Sequence, residues 1–210
     1  GMEEPWHYRN KAQFQLRKNK KTQQIEAGLY QANSHELVPL IDCLVQEPQT
    51  QKVMNTVVEL LNKYDLPIYD ERSNSGIFRT IMVRVGIKTG ELQVVFITRS
   101  QKFPQKNAII RDINQQLPEV VSIMQNVQPA KTSLVMGDET IHLWGKDAIE
   151  EHLNEVTFDL SPRAFFQLNP QQTEVLYNEG IKALAIQPNE TIVDAYCGVG
   201  TIGLSVAKQA

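Results

Sequence analysis

The sequence predicts an α+β unit, an antiparallel sheet with helices on one face, followed by the start of a Rossmann-like α/β unit. Three observations carry this. Runs at 8–18, 24–31, 78–85 and 92–98 alternate or concentrate apolar residues as strands do. Two segments of helical period, 49–64 and 103–117, interrupt them in the order ββαββα. Near residue 200, an apolar run, a glycine-punctuated turn and a helical stripe follow one another, the unit that opens a nucleotide-type pocket in α/β sheets.

In the first run Ala12, Phe14 and Leu16 share one strand face, and Gln13, Gln15 and Arg17 share the other. A lysine-rich turn at 18–22 leads to a second strand marked by Ile25, Ala27 and Leu29. Val53, Val57, Leu60 and Leu61 line one side of the first helix, which stops short of Pro67 because the residue before proline disfavours helical angles. The strands 78–85 and 92–98 are joined across 86–90 as a hairpin. Ala108, Ile109, Ile113 and Leu117 form the stripe of the second helix, and strand-like runs follow at 119–127, 132–136, 140–144 and 155–160.

The pattern changes near Ser161-Pro162, which divides the chain into units 1–160 and 161–210. Asn169-Pro170-Gln171-Gln172 is a helix entrance, with asparagine at the cap and proline at the first helical position. That helix is expected to reach about residue 185 and to pack through Leu176, Gly180, Ala183 and Leu184. The turn 187–190 leads to a strand at 191–194 through Ile192 and Val193, then to a helix with Ile202, Val206 and Ala210 as its stripe.

With 41% hydrophobic and 21% charged residues, the chain has the composition of an ordinary soluble globular protein. It lacks an apolar run of about 18 residues, so no membrane span is expected. Cys43 and Cys197 are too few and too far apart for a disulfide framework, which points to reducing cytoplasm. His7, His35, His142 and His152 show no metal-ligand spacing. The net charge of −3 argues against a broad nucleic-acid surface, but from Arg9 to Lys21 the chain carries Arg9, Lys11, Arg17, Lys18, Lys20 and Lys21 with no acid. Such a run neutralises phosphates in a salt-sensitive way, or is a solvated hairpin tip.

Gly198, Gly200 and Gly203 spell G-x-G-x-x-G, which by itself leaves the cofactor open. Asp194-Ala195-Tyr196-Cys197-Gly198-Val199-Gly200-Thr201-Ile202-Gly203, preceded by Ser161-Pro162-Arg163-Ala164-Phe165-Phe166-Gln167-Leu168-Asn169-Pro170, closely resembles the S-adenosylmethionine-dependent RNA (uracil-5-)-methyltransferases. These enzymes make 5-methyluridine in transfer RNA or 23S ribosomal RNA. Looser likeness runs upstream through Tyr8-Arg9-Asn10-Lys11-Ala12, Gly28-Leu29-Tyr30, Ser34-His35, Asp42-Cys43, the stretch 79–86 and Thr89-Gly90-Glu91, so it covers nearly the whole chain.

The resemblance implies that a cysteine thiolate adds to uracil carbon-6, making carbon-5 nucleophilic toward the methyl donor, and that a base then removes the carbon-5 proton. It places nucleophile and base beyond residue 210, so no catalytic residue is expected in this chain. Cys197 falls in the cofactor loop, and Glu174 is a helix-surface carboxylate. Gln167, Tyr196, Asp194, Gly198, Gly200 and Thr201 are assigned to the cofactor region, with the Phe165-Phe166-Gln167 segment and the glycine turn expected side by side. Arg9, Lys11, Arg17 and Lys18 are the RNA-contacting candidates, and Cys43 matches the last of four iron–sulfur ligands, whose other three would precede residue 1. The alternatives are a non-catalytic RNA-binding module and a nicotinamide-dependent oxidoreductase; the second is disfavoured because its fingerprint ordinarily opens the domain. With half a pocket, the chain is expected to bind S-adenosylmethionine weakly or not at all.

Overall fold

The computed structural model describes every residue except 35, 188 and 208–210. His35 and Ala210, both singled out in the sequence, and Pro188 of the 187–190 turn therefore lie outside the described residues. The elements in order are β1 (Lys11–Lys18), β2 (Ile25–Tyr30), β3 (Leu37–Pro39), α1 (Pro48–Lys63), β4 (Phe78–Val85), β5 (Leu92–Thr98) and α2 (Lys106–Gln116). They continue with β6 (Val120–Val127), β7 (Glu139–Gly145), β8 (Ile149–Leu153), β9 (Val156–Leu160), α3 (Pro170–Leu184) and α4 (Thr201–Val206).

Seven strands form one sheet in the order β3-β2-β1-β4-β5-β6-β7. The alternation read in β1 holds: Ala12, Phe14 and Leu16 are buried beneath α1 and α2 together with Val53, Met54, Val57, Leu60, Leu61, Ile109 and Ile113. Phe78, Phe96 and Phe103 meet edge to face, with ring centroids 4.9–6.1 Å apart. Each fully buried aliphatic or aromatic side chain here contributes about 1.5–3 kcal/mol of transfer free energy. The sheet is mixed rather than antiparallel, because β5 and β6 run parallel. Since α2 carries the chain back across one face between them, β6 must start at the same end as β5.

Glu47 caps α1 by accepting the N–H groups of Gln49 (2.7 Å) and Thr50 (3.2 Å). At its other end α1 is clasped to α2 through Asp112, whose buried carboxylate takes Lys63 Nζ (2.7 Å), the Tyr64 hydroxyl (2.7 Å) and Arg111 Nη2 (2.9 Å). Hydrogen bonds from Lys63, Tyr64 and Arg111, in that order, hold this carboxyl well below the usual carboxylate range. A depressed folded-state pKa stabilises the protein fully above the unfolded value of about 3.9, and the contribution is lost as pH falls through the folded value. Asp112→Asn is therefore expected to lower the urea midpoint at pH 7, with the gap to wild type closing as pH drops below about 4. A gap that stays constant from pH 7 to pH 2 would contradict this account.

The predicted strand at 132–136 does not form. Side chains at the end of β6 and just beyond it take over the backbone groups there: Gln128 Nε2 donates to the carbonyls of Leu134 and Met136, and Asn126 accepts from Gly137 N at 2.7 Å. Two strands unread in the sequence appear instead, β3 and β8. Strands β8 and β9 form a separate hairpin with Ile149 opposite Leu160. It is fixed across the 86–91 turn, where Thr89 Oγ1 donates to Glu150 O (2.7 Å) and Glu91 accepts Glu150 N (2.9 Å).

Helix α3 starts as read, with Asn169 Oδ1 accepting Gln172 N at 3.1 Å. Its buried face is different: Pro170, Thr173 and Tyr177 turn inward, while Leu176 and Leu184 are exposed. The hairpin explains the rotation, because its Phe158 and Leu160 offer the apolar surface, and Tyr177 joins them with Phe166. The expected strand at 191–194 is also absent; the described residues place no second strand beside it to complete a ladder, and Val193 is exposed.

Candidate cofactor and RNA site

The site begins on the sheet face away from the helices. Arg84, only 2% exposed, sends its guanidinium to Ser161 O (3.1 Å) and Ala164 O (2.8 Å), pinning the turn that follows β9 onto β4. Asn10, just before β1, does the same farther along: its N–H donates to Leu168 O (3.0 Å) and its side-chain amide to Gln167 O (3.2 Å). Segment 161–168 is thereby laid along β1 and β4. Within it Phe166 is buried, tilted 57° against Phe158 at 5.7 Å, while Phe165 is exposed. The Gln167 side chain is half-buried, and its amide makes no hydrogen bond among the described residues. It does not cap backbone groups, as a purely structural glutamine would.

The glycine turn is held by its own residues. Asp194 Oδ2 accepts Gly203 N at 2.8 Å, Leu204 N reaches Gly200 O at 2.9 Å, and Tyr196, Gly198 and Gly200 take left-handed angles with φ of 62°, 59° and 80°. Glycine suits this geometry at 198 and 200, whereas Tyr196 bears some strain there. Val199 packs against the cluster of Phe166 and Tyr177, and the Tyr177 and Thr201 hydroxyls lie 2.9 Å apart. The two motifs thus meet on one apolar cluster.

The assigned residues divide accordingly. Asp194 and Thr201 are engaged in holding the loop. Tyr196 is wholly exposed rather than packed in the core, and a side-chain carbon added at Gly198 would meet nothing within 4 Å. Glu174 accepts Asn154 N (2.6 Å) and pairs with Lys88, so it braces α3 against the hairpin and the 86–91 turn.

The basic candidates fall into two groups separated by the length of β1, about 20 Å at the usual rise per residue. Arg9 and Lys11 stand beside segment 161–168, and Arg9 Nε donates to Lys11 O at 3.2 Å. Arg17 and Lys18 are exposed at the other end, with Lys18 paired to Asp65 at 2.8 Å. Sequence reasoning missed Arg84 as a member of the first group; its strand registers it opposite Lys11. Burial pushes Arg84 down to about 10, and burial followed by Arg84 and Arg9 pushes Lys11 down to about 8. Cys43 is half-buried and has no disulfide partner, and the described residues contain no group of three or more His, Cys, Asp or Glu placed to hold a metal. No helix among them is long and apolar enough to cross a membrane.

No protein-family model matches the sequence. Curated bacterial proteins named RNA methyltransferases nevertheless align with this chain over nearly its whole length. One from Enterococcus faecalis, named an uncharacterized RNA methyltransferase, is 77% identical over 210 residues, covering 100% of this chain and 46% of the relative. A protein of Listeria innocua with the same description is 61% identical over 207 residues, covering 99% of this chain and 45% of the relative. The chain spans about half the length of the curated relatives it matches. Among solved structures, the Pyrococcus abyssi tRNA (uracil-54, C5)-methyltransferase in complex with S-adenosyl-L-homocysteine shares the fold, with a TM-score of 0.78 at 24% identity over 97% of this chain and 46% of that one.

Proposed function

We propose that this chain is part of an RNA (uracil-5-)-methyltransferase that moves a methyl group from S-adenosylmethionine to carbon-5 of a uridine in 23S ribosomal or transfer RNA. In this reading residues 1–160 face the RNA and 161–210 begin the methyl-transfer unit, in a cytoplasmic protein. The observation that carries it is the meeting of the Phe165-Phe166-Gln167 segment and the glycine turn on the cluster of Phe166, Tyr177 and Val199. That contact leaves the Tyr196 ring and the Gln167 amide open to ligands.

S-adenosylmethionine supplies an electrophilic methyl group when bound. The exposed Tyr196 ring offers an apolar, π-rich surface to it, Gly198 lets a ligand approach the backbone, and the Gln167 amide offers both donors and an acceptor to methionine or a uracil edge. The target base has to leave its stack to reach them. The thiolate that adds to carbon-6 and the base that takes the carbon-5 proton belong, by the resemblance, to segments past residue 210. On this reading the 210-residue chain alone is expected to be inactive and to bind the cofactor weakly.

Deleting the gene should remove 5-methyluridine from ribosomal or transfer RNA, read by mass spectrometry of digested nucleosides; unchanged levels in both would reject the proposal. Calorimetric titration of the 210-residue chain with S-adenosylmethionine should give little heat, and tight stoichiometric binding would refute the half-pocket reading. In the whole protein, Tyr196→Ala should raise KM for the cofactor about tenfold, the equivalent of about 1.4 kcal/mol.

A further inference from the structure

Of the Lys11–Arg84 pair only Arg84 serves the fold, through its anchoring of segment 161–168. On adjacent strands the two cations stand directly opposite each other, a placement that destabilises a sheet. Arg84 is buried, and its hydrogen bonds go to two carbonyls that carry no formal charge. Neither cation makes an ion pair with a carboxylate among the described residues, while burial, Arg84 and Arg9 push the Lys11 pKa down and burial pushes that of Arg84 down. Lys11 Nζ makes no hydrogen bond among the described residues, and Arg9 adds a third positive charge while bonding the Lys11 carbonyl. Three cations gathered around one strand end without an anion form a site that an anion would complete.

We infer that Lys11 and Arg9, in the field of Arg84, bind a backbone phosphate of the substrate RNA next to the nucleotide held at Gln167. Location selects RNA. Asn10, between Arg9 and Lys11, fixes the Gln167 backbone, so an anion here lies close to the segment that carries the Gln167 amide. The inference rests on the proposed function, since it takes RNA as the substrate. Arg84 acts as a positioning residue: it anchors segment 161–168 and supplies charge, and its guanidinium, buried and spent on two carbonyls, makes no contact with the RNA.

The test uses the full-length protein and a uridine-containing substrate RNA, with Kd measured by fluorescence anisotropy from 50 to 300 mM KCl. Lys11→Gln should weaken binding about tenfold at 100 mM KCl and reduce the slope of log K against log salt by about one. Lys11→Arg should keep the slope, and Lys106→Gln, on the helical layer, should change neither quantity. Without RNA, Lys11→Gln should melt no lower than wild type, because it relieves repulsion among like charges.

If wild type binds RNA in a salt-dependent way and Lys11→Gln keeps its full slope, this inference falls while the proposed function stands. A lower melting point for Lys11→Gln would make Lys11 structural and also overturn it. A raised KM for S-adenosylmethionine with RNA affinity unchanged would assign the anion to the cofactor carboxylate instead, and the phosphate site would fall with it. Absence of any RNA binding by wild type would remove the function itself.

Discussion

Phe166→Ala is expected to destabilise the folded chain by about 3–5 kcal/mol, the range for removing a buried aromatic ring. The ring is 3% exposed and sits among Ile149, Leu153, Phe158, Leu160 and Tyr177. Neighbours from a hairpin, a connecting segment and a helix cannot all close inward at once, so a cavity remains. The same ring fixes the segment that carries Gln167, and its loss loosens the glycine turn through Val199. Urea denaturation followed by circular dichroism measures the stability change. A cost below about 1 kcal/mol would mean that the cluster collapses freely and does not join the two motifs.

The second large effect comes from Glu151. Its side chain is fully buried in β8 and accepts three backbone N–H groups, from Ile87 (2.6 Å), Lys88 (3.2 Å) and His152 (2.8 Å). Glu151→Ala removes three hydrogen bonds to one buried acceptor, and at about 1 kcal/mol each the total is expected to be about 3 kcal/mol. Glu151→Gln keeps one acceptor oxygen and should lose roughly half as much. Amide hydrogen exchange reads the cause directly: in Glu151→Ala the Ile87 and Lys88 amides should exchange faster than those of β5. Equal protection in variant and wild type would show that water or another group had replaced the carboxylate.

Glu151 also shows where the sequence ceased to be legible. Ile149, Glu151 and Leu153 alternate inward as a strand should, but an acid in the middle position hides the pattern from any hydrophobicity reading. Strand β1, the β4–β5 hairpin, α1 and the Asn169-Pro170 entrance were readable because periodicity and local capping chemistry decide them. The parallel β5–β6 pair was not, because direction depends on where α2 carries the chain. The face of α3 was misread for a similar reason: Leu176 and Leu184 look like a core stripe until the hairpin claims Tyr177 instead. Gln167 and Tyr196 are assigned to the candidate site through the resemblance alone, whereas the Lys11–Arg84 pairing required strand register, which no local pattern encodes.

The bond from Gly203 N to Asp194 has a thermodynamic corollary. A loop already knotted to itself surrenders little freedom when a guest arrives, since much of its ordering was completed during folding. Under the proposed function, affinity at that turn reflects the contacts made and the freedom the ligand itself gives up, with little further cost from ordering the turn.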